Sequence, residues 1–131
     1  MLDDTLYFHH PDGEAYAREF FSSCFFFRRY HIPEFLDKFK NRLGVAVNED
    51  LTCYFASEIP PDDPEYFGDS GVVIYVNYPI VEHDTAVIMN YPQFFALLKE
   101  YIDENAASFS AQDMTLIREK YESLLEAFRE P

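Results

Sequence analysis

The sequence predicts a single α+β domain in which a small antiparallel sheet of about three strands is flanked by N-terminal and C-terminal helices. Three observations lead there. Apolar residues recur at helical spacing near both ends of the chain, and the period shortens to strand-like runs between residues 51 and 89. The stretch from Pro79 to Asp84 is short enough to join two antiparallel strands. At 131 residues, one domain spanning 1–131 accounts for the chain. Fourteen Phe and ten Tyr supply bulky core material, so the acidity of the chain belongs to a folded protein and not to a disordered tail.

The first helix is expected over residues 12–29, capped by Asp12, with Tyr16, Phe20, Cys24 and Phe27 along one stripe. Phe21, Phe25 and Phe26 widen that stripe, which suits a helix buried on more than one side. Pro33 fits the first turn of a second helix whose apolar face is Phe35, Leu36, Phe39 and Leu43, and Gly44 is placed to end it in a left-handed cap. Strands follow at Leu51–Ala56, Val72–Tyr78 and Thr85–Met89. Between the first two, residues 58–69 hold three prolines, one glycine and five acids, the composition of an exposed loop. Asn90 and Gln93 form a capping-box pair at the start of a third helix, and Ser110 with Asp113 starts a fourth.

Several classes of chemistry have no foothold. The four glycines make no phosphate-cradling loop, and no zinc spacing of His or Cys is present, so no metal, cofactor or catalytic residue is assigned. His9-His10 are adjacent and point apart on any regular element. Cys24 and Cys53 are read as buried thiols, and a Cys53–His83 nucleophilic pair or a carboxylate-dependent hydrolase is the enzymatic alternative. Met1-Leu2-Asp3-Asp4 places acids where a signal peptide carries bases, and no apolar run approaches the ~20 residues of a membrane span. A cytoplasmic protein off the membrane is expected.

Charge is the informative feature. From Leu43 to Leu98 there is no lysine or arginine, yet nine carboxylates, which is most of the formal −14. Such a surface repels nucleic acid, and the basic candidates Arg28-Arg29 and Lys38-x-Lys40-x-Arg42 are expected inside helices with acids nearby. It attracts a cationic protein instead. The expected contact residues are Glu58, Asp62, Asp63, Glu65 and Asp69 with Tyr66 as aromatic anchor, and Glu82 and Asp84 from the other strand connection. Broad mimicry of nucleic acid toward DNA-binding proteins is the alternative binding reading.

The run Thr85-Ala86-Val87-Ile88-Met89-Asn90-Tyr91-Pro92-Gln93-Phe94-Phe95-Ala96-Leu97-Leu98 resembles the strand–cap–helix segment of contact-dependent growth inhibition (CDI) immunity proteins, the type paired with ribonuclease toxins. Glu100 to Phe128 is similar in length and acidity to the helix that follows in that family, and Phe20-Phe21-Ser22-Ser23 has a looser likeness. Asn90 stands where the family has a hydroxyl cap, and Pro92 where it has an acid. The resemblance implies noncatalytic, one-to-one binding of a cognate nuclease toxin. It transfers no binding residues, because its motif builds core.

Overall fold

The computed structural model describes residues 4–28 and 32–129. The start Met1–Asp3, Arg29 and His31 lie outside the described residues, as do the side chains of Cys24 to Arg28. The elements run β1 (Thr5–Tyr7), α1 (Pro11–Arg28), α2 (Ile32–Lys40), β2 (Ala46–Asn48), β3 (Leu51–Phe55), β4 (Val72–Val76), β5 (Thr85–Met89), α3 (Tyr91–Glu104) and α4 (Ala111–Ala127). The class is α+β, but the sheet has five strands in the order β1-β5-β4-β3-β2, not three. It is also mixed: β1 lies parallel to β5 while the other neighbours are antiparallel. The two added strands are three residues each, too short to show alternation, and both are edge strands.

Register explains where the core sits. Cys53 pairs with Ile74 and Ile74 with Val87, so alternate residues on either side fall on the same face. Leu51, Cys53, Phe55, Val72, Ile74, Val76, Val87 and Met89 therefore point one way, and all join one core with the buried residues of the four helices. Phe94 is its hub: its ring centroid lies 5.2 Å from Phe21, 5.3 Å from Phe39, 5.6 Å from Phe95 and 6.0 Å from Phe55. α4 packs on α2, where Lys120 Nζ reaches Asp37 at 2.9 Å and Lys40 Nζ donates to Ser123 Oγ at 2.7 Å.

The caps hold in part. Asn90 Oδ1 accepts from Gln93 N at 2.9 Å while Gln93 Oε1 accepts from Asn90 N at 3.0 Å, the reciprocal pair expected from sequence. Ser110 Oγ accepts from Asp113 N at 3.0 Å. At α1, however, the helix begins one residue early, and His10 Nδ1 accepts from Asp12 N at 3.2 Å, so His10 takes the capping role given to Asp12. The end of α2 also differs. Arg42, at φ 56°, is the left-handed residue; Leu43 N donates to Lys38 O at 2.8 Å and Arg42 N to Phe39 O at 3.0 Å. Gly44 serves another purpose, since a Cβ there would sit 1.8 Å from the Cys53 carbonyl oxygen. Leu43 falls beyond the helix and is exposed, while Arg42 lies 4.4 Å over the Phe128 ring.

Candidate functional site

The opposite face of the sheet follows from the same alternation. Tyr7, Ile88, Val73 and Tyr54 form one row across β1, β5, β4 and β3, and Thr5, Ala86, Tyr75 and Thr52 form the next. Val73 and Ala86 are buried yet stand outside the helical core, so a different cover lies over them. The connection from β3 to β4 reaches this face. Phe67 is half-buried, its ring 3.6 Å from the Cβ position of Gly71, and it lines an open groove with Tyr7, His9 and Ile88. Further along the same connection, Glu65 and Asp63 come near enough to the Tyr75 phenol for their charge to act on it.

The connection is itself folded. Asp63 N donates to Pro60 O and Tyr66 N to Asp63 O, both at 3.0 Å, and Asp63 Oδ1 accepts from Glu65 N at 2.8 Å. Gly71, at φ 106°, turns the chain into β4 at a place where a Cβ would approach the Met89 carbonyl oxygen to 2.8 Å. These turns leave Asp62, Asp63, Glu65 and Asp69 exposed, and Tyr66 exposed at 37%. Of the two aromatics in the loop, Phe67 covers the sheet and Tyr66 remains accessible.

Glu58 is placed differently from the other loop acids. Its Oε1 accepts from Gly44 N at 2.9 Å and from Phe55 N at 2.8 Å, tying the end of β3 to the segment before β2. Its carboxylate has a structural task at this position. Glu82 and Asp84 lie in the β4–β5 connection, which leaves the opposite end of the sheet from the β3–β4 connection. Asp84 Oδ1 accepts from Tyr78 N at 2.8 Å and shapes a turn that exposes Tyr78 at 68% and Ile80 at 44%. The expected site residues thus divide into a group beside the outer sheet face, one structural acid, and a pair at the far end.

Sequence reasoning missed Tyr54 and Tyr7, which are exposed on the same face, and Tyr78, exposed in the β4–β5 connection. Alternation along β3 was the available signal for Tyr54, because Cys53 and Phe55 point inward. The Tyr54 ring meets Tyr75 edge-on, 5.8 Å between centroids and 63° between planes. Tyr75 Oη is buried without a hydrogen-bond partner of normal geometry among the described residues. Burial, and then the Glu65 carboxylate, push its pKa well above the usual phenol range.

Charge compensation separates the two layers. Among the described residues, the ion pairs Arg18–Glu14, Arg18–Glu100, Lys99–Asp103, Lys120–Asp37 and Arg129–Glu126 all lie on helices or at a helix end. Glu100 is held below the usual carboxylate range by its hydrogen bond from Arg18. Among the described residues, none of the nine central acids has such a partner. Cys53 is sealed at 1% exposure in the helical core, whereas His83 is exposed in the β4–β5 connection, so the nucleophilic pair has no shared cleft. Among the described residues no group of three or more His, Cys, Asp or Glu is placed to hold a metal ion, and no helix is long and apolar enough to cross a membrane.

A family model described as CDI immunity protein matches residues 13–114 of the chain. No curated protein and no solved structure matches it.

Proposed function

The chain belongs to the CDI immunity protein family, and on that premise we propose that it neutralises a cognate nuclease toxin, a ribonuclease, by direct one-to-one binding in the cytoplasm. The domain acts as a single unit over residues 1–131, as a binder and not as a catalyst. The observation that carries this reading is the one-signed surface: nine carboxylates without an ion-pair partner among the described residues, several grouped beside an outer sheet face that carries tyrosines. A nuclease has a cationic cleft because its substrate is a polyanion, and carboxylates presented on a rigid frame meet those cations. Asp62, Asp63, Glu65 and Asp69 supply charge and Tyr66 a nearby aromatic contact. Glu82 and Asp84 reach the toxin only if its footprint extends along the sheet, and Glu58 contributes field more than contact.

Stopped-flow association with a cognate toxin domain tests this. The variant Asp62→Lys/Asp63→Lys/Glu65→Lys should associate about ten-fold or more slowly at low salt, with a flatter salt dependence than the unaltered protein. Unchanged kinetics in that variant would remove the loop from the interface. Failure of the unaltered protein to bind that domain, or equal inhibition of several unrelated DNA-binding proteins, would overturn the immunity reading in favour of none or of broad mimicry.

A further inference from the structure

The cover over the outer sheet face thins toward one edge. Along the row that crosses β4, β5 and β1, Val73 is fully buried, Ile88 is half-buried and Tyr7 is exposed at 54%. Ile88 therefore lies between Tyr7 on β1 and the start of β4, where the Phe67 ring packs by Gly71. Tyr7 is stacked on His9, 5.9 Å between centroids and 10° between planes. These side chains line an open groove of about 230 Å³. Two of its polar side chains are already engaged, since Asn90 Oδ1 and Gln93 Oε1 each hold the other's backbone N–H.

Size and charge select the occupant. The groove is open and smaller than the about 300–1,000 Å³ of small-molecule sites, so it suits a side chain offered by a second protein. Phe67 belongs to the connection that presents Asp62, Asp63, Glu65 and Asp69, and Asp69 directly precedes Ser70 on the lining. Among the described residues, the lining has neither lysine nor arginine. The grooves between helices differ: Arg18 pairs with Glu100 on one and Lys99 with Asp103 on the other, so each matches a cation of its own to an acid. We propose that the Tyr7–Ile88–Phe67 groove seats one large apolar side chain projecting from the basic surface of the toxin. The loop acids pair with cations around it. This rests on the immunity reading and adds to it the place of the desolvated contact, an apolar centre ringed by polar pairs that exclude water.

The test is titration calorimetry with stopped-flow kinetics against a cognate toxin domain. Tyr7→Ala opens one side of the groove and should weaken binding by about ten-fold or more, mostly through faster dissociation. Tyr7→Thr, a residue at ease in strands, repeats the ring deletion should the alanine variant prove unstable. Ser70→Trp crowds the groove without removing its apolar lining and should weaken binding as much. Leu116→Ala, at an exposed leucine on α4, should stay within about two-fold. Because the seated contact is uncharged, the fold-loss in Tyr7→Ala should be equal at low and moderate salt, whereas the effect of the triple charge reversal fades as salt rises. Truncating the seated toxin side chain to serine should cost about as much as Tyr7→Ala and add little in that background. If the groove variants bind within about two-fold of the unaltered protein while the triple reversal still slows association, the seat is wrong and the immunity reading stands. A Tyr7→Ala loss that fades with salt also overturns the seat. If the unaltered protein does not bind the toxin domain, both fall.

Discussion

On its helical side the sheet is closed with phenylalanine, whereas its outer side carries tyrosines beside a single covering ring, Phe67. Phe55 projects inward toward Phe39 and Phe94, all fully buried. One residue earlier on the same strand, Tyr54 projects outward and stays exposed at 41%. The rings are the same size, so the difference lies in the hydroxyl, which suits a surface that is apolar in its body and wet at its edge. Charge divides in the same way. Among the described residues, Arg18, Lys99, Lys120 and Arg129 pair with acids across and along helices, while the acids of the sheet connections meet backbone N–H groups or solvent and no cation. One face is built to be finished by the chain itself. The other has the composition of a surface that a second protein finishes.

Deletions on the two faces should therefore separate stability from binding. The largest effect is expected at the centre of the inner face. Phe94→Ala removes a ring packed against Phe21, Phe39, Phe55 and Phe95 and should cost about 3–5 kcal/mol, read as a lower urea midpoint at unchanged slope. A loss under about 1 kcal/mol would mean that the core collapses around the gap, and the contrast between the faces would lose its basis.

A sharper comparison sets one acid against its neighbours. Glu58→Ala leaves Gly44 N and Phe55 N without their shared acceptor and should lower stability by about 1–2 kcal/mol, with only a modest effect on toxin association. The triple reversal of Asp62, Asp63 and Glu65 should do the converse, changing stability by less than about 1 kcal/mol while slowing association. Equal stability losses in the two variants would erase the distinction between a structural carboxylate and a presented one.

What was legible in the sequence depended on how local its cause was. The start of α3 was readable because Asn90 and Gln93 satisfy each other within four residues. β4 and β5 announced themselves through runs of β-branched residues. β1 did not, because Thr5–Tyr7 is a strand only by pairing with Ala86 to Ile88, some eighty residues away. Gly44 was misread for a related reason: it is needed where β3 crosses close by, and Arg42 bends into the left-handed region at the helix end instead. At the site, the loop and its exposed acids were legible from proline, glycine and charge. That all four helices pack on one face was not, and neither was the task of Glu58, because both depend on tertiary placement. Tyr54 lay between these cases, since alternation gives its direction but not its exposure.

The smallest expected effect is the most telling about the outer face. Tyr75 carries a buried hydroxyl without a normal hydrogen-bond partner, so Tyr75→Phe removes a desolvated donor and little else. Stability at neutral pH should stay the same or rise by up to about 1 kcal/mol. The pH response gives a second readout. With its pKa raised by burial and by Glu65, the folded protein holds the phenol proton more tightly than the unfolded chain, whose phenol titrates near about 10. The stability that this proton contributes is complete below pH ~10 and is lost as pH climbs toward the folded value. Tyr121, pushed up to about 12 by burial and donating to Phe95 O at 2.9 Å, acts in the same direction. Alkaline unfolding of Tyr75→Phe should therefore be shallower than that of the unaltered protein, but not flat. Toxin affinity should be retained, since the altered atom is buried. A stability loss above about 1 kcal/mol would instead mean that the hydroxyl bonds to Glu65 and that the loop is pinned by it, so the acids would be fixed by the sheet and not merely carried over it.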